Sequence, residues 1–203
     1  MTAPDHPPTG RPMTGRNGTP VIGIAGWKKS GKTTLAVRLV EEFAQRGYVV
    51  ATVKHAHHKF QIDESEADSA RHRRAGAQQV AIVSPERWAI IKELGAAPEP
   101  DFVDVLAMLD PCDLIIVEGY KSAAIAKIEA RRTASFTRTP LAPLDPLVIA
   151  VASDHPTDAG ALPLFDLSDV AGIADLIVQR FAIRTGGHAL AAGATAALAA
   201  GDG

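Results

Sequence analysis

The sequence predicts an α/β fold: a mainly parallel, twisted sheet flanked by helices, in a single domain with flexible termini. Three observations carry this. Short β-branched apolar runs alternate with helical patterns between residues 20 and 183, the signature of βαβ units. The 203 residues suffice for one domain with a full core and fall short of two ordinary domains plus tails. Both ends lack large side chains to bury: residues 1–19 hold four prolines, three glycines and four threonines, and the stretch 184–203 is nearly all Ala and Gly. The folded unit is therefore expected at 20–183.

Along that unit, Val21–Ala25 reads as a first buried strand. Residues 32–46 follow as a helix, with Ala36, Leu39, Val40 and Phe43 on one stripe and Gly47 as its stop. Residues 48–54 make a second strand, which completes a unit with a right-handed crossover. The polar stretch 64–75 reads as a helix ending at Gly76, and 79–84 and 87–91 as strands around the turn at Pro85. A helix over 101–109 is closed by Asp110-Pro111. Residues 114–117 form the most apolar strand, 126–130 and 147–152 two more, and 168–181 the last helix, with Ser168 as its N-cap.

Composition excludes several classes. No apolar run approaches the ~20 residues a bilayer crossing needs, so no membrane span is expected. With 21 Lys+Arg against 23 Asp+Glu, a broad surface for nucleic acid is not indicated. The one cysteine, Cys112, can form neither an intramolecular disulfide nor a Cys-rich zinc site, so a reducing compartment fits. The first residues lack an apolar stretch behind a basic segment and do not resemble a secretory signal, which leaves the cytoplasm as default.

The strongest chemical signal is Gly26-Trp27-Lys28-Lys29-Ser30-Gly31-Lys32-Thr33, a full GxxxxGK[ST] placed between a buried strand and an amphipathic helix. Glycines let the backbone curl until successive N–H groups point into one concavity, and the helix N-terminus adds partial positive charge. This is the phosphate cup of a P-loop NTPase fold. Lys32 is expected to reach the β- and γ-phosphates and the Thr33 hydroxyl to ligate Mg²⁺. Lys28 and Lys29 either add charge to the cup or lie in solvent.

An acidic group at the end of a neighbouring strand normally orients hydrated Mg²⁺. Glu118, at the carboxyl end of 114–117 and followed by Gly119, supplies it, and its departure from the usual terminal aspartate suggests contact through water. After the second strand come His55, His57 and His58, then Asp63, Glu64, Glu66 and Asp68. These could hold zinc or nickel, serve the nucleotide or its metal, or lie in solvent. Asp68, Arg71 and His72 share one helix face, which is either solvated or binds phosphates. Arg131 and Arg132 carry the same ambiguity as a basic pair beside the cup. Asp154 ends the strand 147–152 where a base would lie, and a carboxylate there can accept from guanine N1–H and N2–H₂; the alternative is a turn residue before His155-Pro156.

Taken together, GWKKSGKTTL, VKHAHH, DSARHRRAGA, LIIVEGYK and the late AVASD resemble the MobB family of molybdopterin-guanine dinucleotide biosynthesis adaptor proteins, over about 20–181. The resemblance implies a GTP-binding protein, usually a homodimer, with weak GTP hydrolysis. Such a protein assists a partner nucleotidyltransferase, MobA, which joins GMP to molybdopterin. It also implies that Gly31, Lys32, Thr33 and Thr34 hold phosphates and Mg²⁺, with Gly26, Lys29 and Ser30 in the same loop and Glu118 on the metal side. Slow hydrolysis is expected on physical grounds as well, because no arginine finger or water-orienting glutamine stands out and such groups can carry ~10³ or more in rate. Two other readings compete: a small-molecule kinase with Arg71, Arg131 or Arg138 on the acceptor, and a metallochaperone GTPase using His55, His57 and His58.

Overall fold

The computed structural model describes residues 13–56, 60, 62 and 67–186. These divide into two compact units, one built from residues before 56 and after 104, the other from residues 56–104. In chain order the elements are β1 (Val21–Ala25), α1 (Lys32–Gln45), β2 (Val50–Lys54), α2 (Asp68–Arg74), β3 (Gln79–Val83), β4 (Trp88–Lys92), α3 (Phe102–Ala107), β5 (Leu114–Glu118), β6 (Ala126–Arg131), β7 (Val148–Ser153), β8 (Leu164–Asp166) and α4 (Val170–Phe181). No described helix is long and apolar enough to cross a membrane.

The first unit is a six-stranded sheet in the order β2-β5-β1-β6-β7-β8, every neighbouring pair parallel. Strands buried on both faces read as continuous apolar runs, and β1 and β5 do so, with all five residues of β1 and four of β5 buried. Helix α1 lays Leu35, Leu39 and Phe43 into the core formed by Ile22, Ile24, Leu114, Ile116 and Ile128, and α4 adds Ile173 and Ile177. Each such side chain contributes roughly 1.5–3 kcal/mol on burial. The parallel order matters for function because it gathers the carboxyl ends of β1, β5, β6 and β7 at one edge of the sheet, where ligands of such sheets bind.

The second unit carries α2 and an antiparallel ribbon, β3 with β4, in register Val80 to Ile91 and Ile82 to Ala89. Arg73 bonds Glu93 at 2.8 Å within it.

At two places the structure departs from the sequence reading, and at a third it adds an element. Residues 13–19 do not continue the tail: Arg16–Gly18 form a 3-10 turn, the Met13 amide donates to the Ala124 carbonyl, and buried Thr19 donates its hydroxyl to the Arg16 carbonyl. The last helix is capped by Asp169, whose carboxylate accepts from the Gly172 amide, and not by Ser168. The Ser168 hydroxyl is already donated to Asp166, which also accepts the Ser168 amide. Finally, β8 is a strand the sequence does not announce, three residues long and mostly exposed. Residues 1–12 and 187–203, with most of the predicted tails, lie outside the described residues.

Candidate nucleotide site

The loop between β1 and α1 closes only because two positions lack a side chain. Gly26 sits at φ +144°, where a Cβ would overlap the Ser30 hydroxyl and stand 2.6 Å from the Ala130 carbonyl oxygen. Gly31 sits at φ +91°, with a Cβ there 3.1 Å from Leu167 Cδ2. Between them Lys29 also takes a left-handed conformation, at φ +67°. Gly31 is the N-cap of α1 and offers no side chain to it; the first helical bond runs from the Leu35 amide to the Gly31 carbonyl. The amides of Lys32, Thr33 and Thr34 thus precede the helical ladder, the arrangement that receives anions at a helix start. A cavity of about 300 Å³ lies over this turn, lined by Lys29, Gly31, Lys32, Thr33, Thr34 and Arg132. Ser30 is buried, and its hydroxyl oxygen has no hydrogen-bond partner among the described residues.

On the β5 flank of this loop the predicted metal-side groups meet. The Thr33 hydroxyl donates to Glu118 Oε1 at 2.5 Å, and Lys54 Nζ stands 3.5 Å from Glu118 Oε2. Gly119, at φ +97°, lets the chain pass His55, whose amide bonds the Glu118 carbonyl and whose ring lies 4.6 Å from that of Tyr120. Lys32 Nζ donates to the Trp27 carbonyl at 2.7 Å. Burial pushes its ammonium below the usual lysine range; Glu118 pulls it back up, and Lys121 and Lys54 press it further down. A hydroxyl and a carboxylate are hard oxygen donors, so Thr33 and Glu118 fit a hydrated Mg²⁺. The glycine cradle and helix amides fit its phosphates. Of the candidate metal-binding residues, His57, His58, Asp63, Glu64 and Glu66 lie outside the described residues. Among the described residues no cluster of three or more His, Cys, Asp or Glu could hold a metal ion.

The β6 flank separates the two neighbouring arginines. Strand β6 runs one residue further than its apolar pattern suggests, so Lys127, Glu129 and Arg131 share one face and are all buried. Arg131 bonds Glu129 at 2.8 Å, the Thr157 hydroxyl and the Asp158 carbonyl, while Glu129 accepts the amides of Leu141 and Ala142. This buried network pins the loops after β6 and β7. Arg132, half exposed, lines the phosphate cavity, whereas Arg131 is buried.

Asp154 follows β7. Its Oδ1 accepts from the Thr133 amide at 2.8 Å, the Thr133 hydroxyl at 3.0 Å and His155 Nδ1 at 2.8 Å, while Oδ2 lies 3.5 Å from Arg132 Nε. Desolvation raises its carboxyl, but the bonds from His155 and Thr133 outweigh this and hold it below the usual range. Beside it opens a second cavity of about 280 Å³, walled by Pro156, Leu164 and Phe165 and edged by Asp154 and Asp166.

Sequence reasoning missed three contributors here. Trp27 ties the loop to the segment after β6 by donating Nε1 to the Thr139 carbonyl at 2.7 Å, and Lys121 Nζ sits 4.1 Å over its ring. Glu129 announces itself only by the period-two charges of Lys127-Ile128-Glu129-Ala130-Arg131. Phe165 belongs to the unforeseen β8.

The family model described as molybdopterin guanine dinucleotide synthesis protein B matches residues 21–154. The chain is 37% identical over 169 residues to the molybdopterin-guanine dinucleotide biosynthesis adapter protein of Escherichia coli K12, covering 82% of this chain and 96% of that protein. It is 39% identical over 164 residues to the protein of the same name from Haemophilus influenzae, covering 79% and 89%. The crystal structure of a MobB homologue from Bacillus stearothermophilus superposes with a TM-score of 0.60 at 27% identity, over 81% of this chain and 99% of that one. The phosphate loop, the Glu118 strand end and Asp154 all fall within the matched region, and the chain belongs to the molybdopterin guanine dinucleotide synthesis protein B family.

Proposed function

We propose that this protein is a cytoplasmic GTP·Mg²⁺-binding adaptor that assists a MobA-type nucleotidyltransferase in converting molybdopterin, or its molybdenum form, to molybdopterin guanine dinucleotide, with at most weak hydrolysis of its own. The observation that carries this is a glycine-cradled phosphate cup whose Arg132 pairs with Asp154 at the edge of a second cavity, in a chain of this family.

In this reading Gly26, Ser30 and Gly31 shape the cup, and Lys29, Lys32 and Thr34 meet the phosphates. Lys32 exchanges the Trp27 carbonyl for phosphate oxygens. Thr33 and Glu118 hold the metal side, with Asp63 assigned there from the sequence. Bound Mg²⁺ supplies charge neutralisation of the β- and γ-oxygens. The apolar wall of Phe165, Leu164 and Pro156 suits a purine face, and Asp154 is assigned to the guanine edge, for which its Oδ1 must exchange the Thr133 or His155 bond. Weak hydrolysis fits a site whose water-orienting group is not evident.

A homodimer is part of the proposal. The β3–β4 ribbon exposes Val83, Trp88 (67% exposed) and Ile90, apolar surface that its own unit leaves uncovered and a second copy could bury. Family membership favours this adaptor over the small-molecule kinase and the metallochaperone.

The test is reconstitution. Dinucleotide formation by the purified nucleotidyltransferase from molybdopterin and GTP is measured with and without this protein. The proposal expects faster or more complete conversion with the wild-type chain and none of that gain with Lys32→Ala. Equal yields in every arm contradict it.

A further inference from the structure

Arg132 is the one guanidinium among the described residues that lines the phosphate cavity. Its stem crosses the start of α1: a Cβ at Gly31 would lie 3.8 Å from Arg132 Cδ. Its charge is loosely held. Its ion pair among the described residues is with Asp154, whose Oδ2 lies 3.5 Å from Nε, while the other oxygen, Oδ1, is bonded by Thr133 and His155. Of the other cations of the cavity, Lys32 is engaged more closely, by the Trp27 carbonyl at 2.7 Å, and Lys29 lies over the ring of Phe136 at 4.7 Å.

Topology fixes which part of a ligand Arg132 meets. Strand β1 has β5 on one side, carrying Glu118 and the metal-side contacts, and β6 on the other. Arg132 follows β6, so it stands on the far side of the cup from Glu118. It lines the phosphate cavity and pairs with Asp154, which edges the second. A nucleotide laid with its terminal phosphates against Lys32 and Glu118 and its base in the second cavity presents the phosphate nearest the sugar to Arg132.

We infer that Arg132 is a nucleotide-binding residue that leaves Asp154 to grip the α-phosphate, the guanidinium fork matching two phosphate oxygens. This rests on the nucleotide-binding reading above. The exchange loosens one of the charges around Asp154 as the base arrives beside it, so phosphate and base recognition are coupled through one side chain.

Binding of GTP and of GDP, each with Mg²⁺, is titrated for the wild type, Arg132→Ala, Arg132→Gln and Arg132→Lys, with thermal melts alongside. Both nucleotides carry an α-phosphate, so Arg132→Ala and Arg132→Gln should weaken GTP and GDP by the same factor, ~10–100-fold for a lost charge-assisted contact. Lys should recover only part, and melts should stay near wild type because the side chain is half exposed. Unchanged affinity in Arg132→Gln, a loss confined to GTP, or full affinity in Arg132→Lys each overturns the assignment. If the wild type binds neither nucleotide, the failure lies in the underlying reading and is seen in the wild-type titration itself.

Discussion

The two flanks of β1 hold opposite kinds of contact. On the β5 side Thr33 and Glu118 already touch at 2.5 Å, placed by adjacent parallel strands and the first turn of α1. On the β6 side Arg132 is held at 3.5 Å, and Asp154 satisfies itself with Thr133 and His155. The contacts of the Glu118 flank are set by backbone register, whereas those of the Asp154 flank are set by side-chain bonds. Preorganised contacts confer affinity because their ordering has been completed in folding; exchangeable ones confer discrimination, because only the right ligand compensates for the bonds it displaces.

Breaking the loop that both flanks share has the largest expected effect. Gly26→Ala puts a Cβ into the Ser30 hydroxyl and against the Ala130 carbonyl at a left-handed φ. Strain and overpacking together cost about 2–5 kcal/mol, visible as a lowered denaturant midpoint with loss of nucleotide binding on both flanks. Glu118→Gln acts on one flank only. It removes the charge opposite Thr33 and should cancel the Mg²⁺ enhancement of GTP binding, ~10-fold or more. Folding stability should shift by less than about 1 kcal/mol, since the Lys54 partner is mostly exposed. Titration with and without Mg²⁺ separates these.

Asp154→Asn is the mildest change and probes the other flank. It should narrow the preference for GTP over ATP while leaving the Mg²⁺ response intact. Its second signature is acid stability. A carboxyl held below its unfolded value contributes stability that is present above the unfolded pKa, about 3.9, and is lost as pH falls through the folded value. The wild type should therefore lose a small increment over wild-type neutral stability below about pH 4 that Asp154→Asn lacks, read from melts across the acid range.

The two flanks were also unequally legible in the sequence. The parallel strands, the glycine loop and Glu118 follow from apolar runs and fixed spacing, which the backbone must obey. The β6 flank depends on strand parity. Ending the strand at Ala130 leaves Arg131 and Arg132 equivalent; extending it to Arg131 buries that residue beside Glu129 and turns Arg132 outward. Likewise, Ser168 and Asp169 are both able caps, and the choice falls to Asp169 because Asp166 already holds the Ser168 hydroxyl. Strand β8 has three residues, too few for a period-two pattern, and with it Phe165 and the second cavity stayed hidden. In the second unit the ribbon was readable, but its exposed Val83, Trp88 and Ile90 were not, since a strand pattern does not say which face lacks a cover.

The central claim is that one ligand spans both flanks, with its phosphates in the glycine cup and a guanine beside Asp154. The most direct test is equilibrium competition between GTP and ATP for the purified protein with Mg²⁺, using Lys32→Ala as control. The account predicts a clear preference for GTP and loss of both nucleotides in the variant. Equal binding or a preference for ATP would contradict the base flank, and undiminished binding by Lys32→Ala would contradict the cup.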